Sequence, residues 1–241
     1  IMINNSFFST EILRWFRENG RDLPWRETRD PYAIWLSEII LQQTRIVQGW
    51  EYWERFMQTY PKVEDLAAAS EDDVLKLWQG LGYYSRARNL HAAAKQIVAL
   101  GSFPNTLDGI KSLKGVGDYT AAAIGSFAFD IPAAVVDGNV YRVLSRYFGI
   151  DTPINSTQGK KEFAALAQSL LPASDAASYN QGMMDFGAIQ CTPQSPKCLL
   201  CPLAETCEAL RSGRVEELPV KNKTVKVKTR HLSYIYIRCK S

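Results

Sequence analysis

The chain has 241 residues, 46% of them hydrophobic, and its 28 Lys and Arg against 25 Asp and Glu give a formal charge of +3. Such a length buries a large core in one or two domains, and no apolar run approaches the ~18 residues that span a bilayer, so no membrane partner is expected. Five cysteines in a chain of this size, with no basic start and apolar block in residues 1–10, argue against a secreted disulfide scaffold and for a cytoplasmic location, nucleoid-associated in a bacterium.

Residues 6–19 carry Phe8, Ile12, Trp15 and Phe16 at helical spacing, and Gly20 stops the helix. Residues 21–26 read as irregular. Asp30-Pro31 is a helix start, a capping acid before a proline at the first helical position. The helix that follows sets Tyr32, Trp35, Leu36, Ile39 and Ile40 on one stripe, with Glu38 on a flank shared with Ile34 and Leu41. A carboxyl beside apolar neighbours has a raised pKa if it faces a closed cleft, although most helix glutamates are merely solvated. Further helices are predicted near residues 47–60, ended by Pro61, and 71–79, capped by Ser70 and closed by Gly80. Residues 80–88 (GLGYYSRAR) form a glycine-broken turn with Tyr83, Tyr84, Arg86 and Arg88. Such a turn wedges into stacked bases and holds phosphates; core tyrosines beside surface arginines explain it as well.

Residues 113–146 organise the rest. Leu113-Lys114-Gly115-Val116-Gly117-Asp118-Tyr119 reads as a helix end, a two-glycine hairpin and a new helix capped by Asp118. Without Cβ atoms, Gly115 and Gly117 let a backbone or phosphate approach, and the free amides of the next helix favour an anion. Twenty residues beyond Gly117, Asp137 begins a helix that buries Val140, Val143, Leu144, Tyr147 and Phe148; there the helix dipole favours its ionised form. Arg86, Arg88, Arg142, Arg146 and the basic run 221–230 are clustered charges of the kind an anionic partner attracts. Cys191, Cys198, Cys201 and Cys207, spaced C-x6-C-x2-C-x5-C, suit a [4Fe–4S] cluster or a tetrahedral zinc, the long first gap leaning towards iron–sulfur. Cys239 lies too far off to join them.

The glycine hairpin, the acid twenty residues on and the cysteine spacing together resemble the helix-hairpin-helix DNA glycosylases with an iron–sulfur cluster. Within that superfamily, Tyr119 stands where the glycosylase/lyases have the Schiff-base Lys. Residues 35–44 (WLSEIILQQT), 80–90 and 137–140 are similar to the adenine glycosylases of the MutY type. The resemblance implies an all-α, two-lobed fold: a six-helix module over residues 22–133, and a cluster lobe combining 1–21 with 134–210. It implies a monofunctional enzyme on double-stranded DNA, hydrolysing adenine from mispairs with 8-oxoguanine or guanine, with one site per chain and no need of a dimer. Glu38 would protonate the base and Asp137 face the cationic sugar, with Tyr119 and Asn139 beside it. Gln43 and Tyr83 would wedge the duplex, and Trp25, Arg26 and Gln181 line the adenine pocket. The backbone of Gly115, Val116 and Gly117 would hold a phosphate with a bound monovalent cation, and the cluster would shape a basic loop including Lys197. Residues 211–230 read as a linker, and 231–241 as the start of a C-terminal domain that is then cut short, so weakened preference for 8-oxoguanine over guanine is expected. A thymine glycosylase for T·G mispairs, and a non-catalytic DNA-binding or redox-sensing module, are the competing readings.

Overall fold

The punctuation by glycine, proline and capping residues resolves, in a computed structural model that describes residues 5–222, into an all-helical molecule with no strand among the described residues. The helices are α1 (Asn5–Asn19), α2 (Pro31–Leu41), α3 (Ile46–Thr59), α4 (Val63–Ala68), α5 (Glu71–Trp78) and α6 (Ser85–Leu100). They continue as α7 (Leu107–Lys111), α8 (Asp118–Phe129), α9 (Gly138–Phe148), α10 (Thr157–Leu170), α11 (Ala176–Asp185) and α12 (Glu208–Arg211). Seven of these fall within residues 22–133, because Ser70 accepts from the Asp73 amide and starts α5 two residues after α4 ends.

Two cores form. One gathers Trp35, Phe56, Trp78, Leu90 and Ile124 from α2 to α8; the other gathers Phe8, Ile12, Leu144, Phe163 and Phe186 from α1, α9, α10 and the turn after α11. Burying one such side chain stabilises the fold by about 1.5–3 kcal/mol. The N-terminal helix thereby joins the second lobe, its Phe8 ring lying 4.6 Å from that of Tyr147.

Helix α2 is the axle of the first lobe. Asp30 caps it by accepting from the Tyr32 amide at 3.0 Å, and Pro31 follows. Every residue from Tyr32 to Ile40 is buried, Glu38 included, so the amphipathic stripe expected from spacing is in fact a helix enclosed on all sides.

The hairpin joins α7 to α8. Gly115 adopts φ +79°, and a Cβ there would lie 2.8 Å from that of Asn89. Gly117, not Asp118, caps α8; Asp118 is its first residue, its carboxylate paired across the hairpin with Lys111. The second crossing between lobes, residues 130–137, is pinned by Asn180 of α11, which accepts from the Val135 amide at 3.1 Å and donates to Ala133 O and Ser126 Oγ, both at 2.9 Å. Residues 231–241, expected to begin a C-terminal domain, lie outside the described residues, as do much of the basic run and Cys239.

Candidate active site

Glu38 enters from the last turn of α2. It is 9% exposed, and burial pushes its pKa from the ordinary carboxylate value up to about 7. Arg26 pulls the other way, the charge of Asp137 adds to the rise, and a hydrogen bond from the Tyr119 phenol lowers it. Tyr119 is carried into place by the first turn of α8, immediately beyond the hairpin. Burial, then the charges of Glu38 and Asp137, raise its pKa, so the phenol stays protonated and donates. Three segments that are remote in sequence therefore converge on one point.

Asp137 caps α9. One carboxylate oxygen accepts from the Val140 amide at 2.8 Å and the other from Asn139 Nδ2 at 2.8 Å, a setting in which a helix terminus favours an anion. Asn139 is itself oriented: its Oδ1 accepts from Arg142 at 2.8 Å, and the same guanidinium donates to Gly187 O at 2.7 Å and Cys191 O at 2.8 Å. The backbone of Gly187 lies against Asn139 so closely that a side chain there would collide with it.

Beside Glu38 opens a pocket walled by Trp25, Arg26, Ser37, Leu41, Gln181 and Met184. The structure thus brings Trp25, Arg26 and Gln181 together with Glu38. Trp25 is held on a short 3-10 turn (Pro24–Arg26), its ring edge-on to Trp50 and Trp53 with centroids 5.9 and 5.8 Å away. Sequence reasoning did not find Leu41, Ile46 and Met184 as walls, for an apolar residue gives no sign of which cavity it lines. Asp185, which holds Arg26, was missed as well.

On the outer side, Gln43 and Tyr83 are exposed, as are Gly115 and Gly117, while Val116 is buried between them and anchors the hairpin. Arg86 departs from the expectation of a phosphate holder: its guanidinium turns inward onto protein oxygens. Arg142 and Arg146 are a second correction. Both are buried, 8% and 3% exposed, and hydrogen-bond within the protein, so neither belongs to a surface patch.

Cys191, Cys198, Cys201 and Cys207 line one cavity and form no disulfide. Four thiols facing one space supply the all-sulfur donor set of an iron–sulfur cluster. Burial pushes the Cys201 thiol up to about 12 and raises those of Cys198 and Cys207 as well. Arg146 nevertheless points a buried guanidinium at Cys191 Sγ, 3.5 Å away, and an anionic iron–sulfur group is what would match that charge.

Fold and site together define a helix-hairpin-helix protein with an iron–sulfur loop. Residues 36–172 match the HhH-GPD superfamily of base excision DNA repair proteins, and the chain belongs to it; residues 191–207 match the iron–sulfur binding domain of endonuclease III. That match runs from Cys191 to Cys207 and supports a [4Fe–4S] cluster in this loop. The chain is 42% identical over 226 residues to the adenine DNA glycosylase of Mus musculus, covering 88% of this chain and 44% of that one. It is 39% identical over 218 residues to that of Buchnera aphidicola subsp. Acyrthosiphon pisum, covering 89% and 62%. It thus spans about half the length of these relatives. A solved thermostable thymine-DNA glycosylase superposes with a TM-score of 0.80 at 34% identity, covering 86% of this chain and 97% of that one.

Proposed function

We propose that this chain is a monofunctional DNA glycosylase that extrudes adenine from mispairs with 8-oxoguanine or guanine and hydrolyses its N-glycosidic bond. The observation that carries the reading is the meeting of two unlike carboxyls at Tyr119: a buried Glu38 with its pKa near 7, and Asp137 fastened to a helix terminus. Breaking the bond between sugar and base leaves positive charge on the sugar and needs a proton on the departing base. Glu38 supplies that proton to a ring nitrogen; Asp137 faces the sugar cation; water then adds to the sugar carbon and returns its proton to Glu38. Tyr119 keeps the two carboxyls in register. It offers no amine, so no Schiff base forms and the strand stays intact.

The extruded base enters the cavity of Trp25, Arg26 and Gln181, while Gln43 and Tyr83 take the space it leaves. The hairpin of Gly115, Val116 and Gly117 presents the amides at the start of α8 to a phosphate, with a monovalent cation at the same turn. The cluster, held by its four cysteines, supplies structure to the loop that carries Lys197.

One observation favours a second reading, excision of thymine from T·G mispairs: the solved thymine-DNA glycosylase shares this fold at a TM-score of 0.80 and 34% identity. The test is incubation with duplexes holding A opposite 8-oxoguanine, A opposite G and T opposite G, with and without hot alkali. Breaks after alkali in the A-containing duplexes alone are expected. Breaks without alkali would restore a lyase, and release of T would transfer the chain to the thymine branch.

A further inference from the structure

Arg86 lies in the first turn of α6 with its guanidinium turned into the protein. Its Nη1 donates to Ile39 O at 3.3 Å, Ile40 O at 3.1 Å and Gln42 O, and lies 3.4 Å from Thr44 Oγ1. Its Nη2 donates to Leu81 O at 3.2 Å and Gly82 O at 3.4 Å. One fork therefore ties the turn that follows α2 to the turn that precedes α6. The Trp78 ring lies 5.0 Å from the guanidinium carbon and the Tyr83 ring 5.9 Å from it.

Each tied turn bears one residue with a side chain in the left-handed backbone region, Gln43 at φ +57° and Tyr83 at φ +45°. Residues with a side chain avoid that region, and they persist there only where surroundings hold them. Both side chains are exposed, Tyr83 at 68%, so neither gains core packing in return. Each turn has bonds of its own, from the Thr44 amide to Leu41 O at 3.2 Å and from the Arg86 amide to Tyr83 O at 2.9 Å; what ties the two turns to each other is the Arg86 fork. Its rigid plane reaches carbonyls on both turns at once; an ammonium, with its donors on one compact atom, does not span them.

We infer that Arg86 is a positioning residue that locks Gln43 and Tyr83 into a preformed two-pronged wedge, so that base extrusion does not wait for two loops to order. This rests on the reading of the site as one that extrudes a base. It assigns Arg86 to extrusion and leaves bond cleavage to Glu38 and Asp137.

The test uses the full chain with its cluster, folding being checked by cluster absorbance and thermal melting. Single-turnover excision is compared for Arg86→Lys and wild type on a mispaired duplex and on a bulge whose target base is already unstacked, using whichever base wild type removes. The same comparison is made in a Gln43→Ala/Tyr83→Ala background, with Arg86→Gln as a second variant should Arg86→Lys fold poorly. A 2-aminopurine beside the mispair reports unstacking independently of cleavage. Arg86→Lys is expected to slow duplex excision and the fluorescence rise roughly tenfold or more, and bulge excision less than about twofold. In the background without prongs it should cost less than about twofold further. Equal slowing on duplex and bulge, full slowing without the prongs, or no slowing at all would each overturn the inference. A wild type that removes no base and unstacks none would overturn the reading of the site itself, and the inference with it.

Discussion

Asp185, fully buried at the end of α11, accepts hydrogen bonds of 2.8 and 2.9 Å from the two terminal nitrogens of Arg26. Arg21 adds its backbone amide and Nε to the same carboxylate, each at 2.9 Å. Burial works to raise the Asp185 pKa, yet the bonds from Arg26 and Arg21 bring it below the usual value. Because Arg26 is matched by Asp185, its attraction for Glu38 is outweighed by burial of that carboxyl, and Glu38 keeps its proton up to about pH 7.

Replacing Asp185 by Asn should therefore change chemistry as well as stability. Arg26, no longer matched, draws the Glu38 pKa down, and the basic limb of the excision rate moves to lower pH. Removing one partner from a buried pair should also cost roughly 3–5 kcal/mol, read from denaturant melts. A pH profile that stays in place while stability falls would show that Asp185 does not act through Arg26.

The wild-type profile follows from the same proton. Excision needs Glu38 protonated, so single-turnover rates should fall as pH rises through about 7. Glu38→Gln should abolish excision and spare binding to the mispaired duplex. Unchanged turnover would sink the role of acid.

Glu38→Gln should also stabilise the protein at alkaline pH. The folded pKa of about 7 lies above the ordinary 4.5, so the folded state holds the extra proton between those values. Stability due to this group accordingly falls as pH rises across that window, and above it the loss is on the order of 3 kcal/mol. Thermal melts at pH 5 and pH 8 should show the variant's advantage widening at pH 8. An equal advantage at both would contradict the raised pKa.

Arg142 links Asn139 to Cys191 O, so its loss should be felt at both ends. Supporting residues of this kind typically cost 10–100-fold in activity or metal affinity. Arg142→Gln should lower excision by about that factor and hasten bleaching of the cluster absorbance. A variant with a stable cluster and normal excision would show the link to be idle.

Removing the cluster by oxidation and chelation should leave Arg146 buried without the anionic group that it faces. The expected result is a lower melting temperature and proteolytic cutting within residues 191–207, with most far-ultraviolet helical signal retained, since the core built on α2 contains none of the cysteines. Loss of nearly all helix would mean that the cluster organises both lobes.

Much of the architecture was legible because the relevant physics is local. Asp30-Pro31 announces a helix start, the Gly115 turn demands a left-handed backbone, Asp137 caps the helix it begins, and four cysteines in 17 residues imply one bound group. Each conclusion needs only neighbours a few residues away. The arginines show where that stops. Arg86, Arg142 and Arg146 look in sequence like surface charges for an anionic partner, yet each serves protein oxygens in the interior.

By itself, then, the sequence determined most of the helices and their caps, the hairpin, and four clustered cysteines and two acids as candidates. Only the tertiary structure decided what each charge does: that burial keeps Glu38 protonated, that Asp185 restrains Arg26, and that Arg142 joins Asn139 to the cluster loop. The reason is that a helix depends on residues within a turn of one another, whereas the free energy of a charge depends on how much water and which partners surround it, and many of those come from chain segments remote in sequence, as Asp185 is from Arg26.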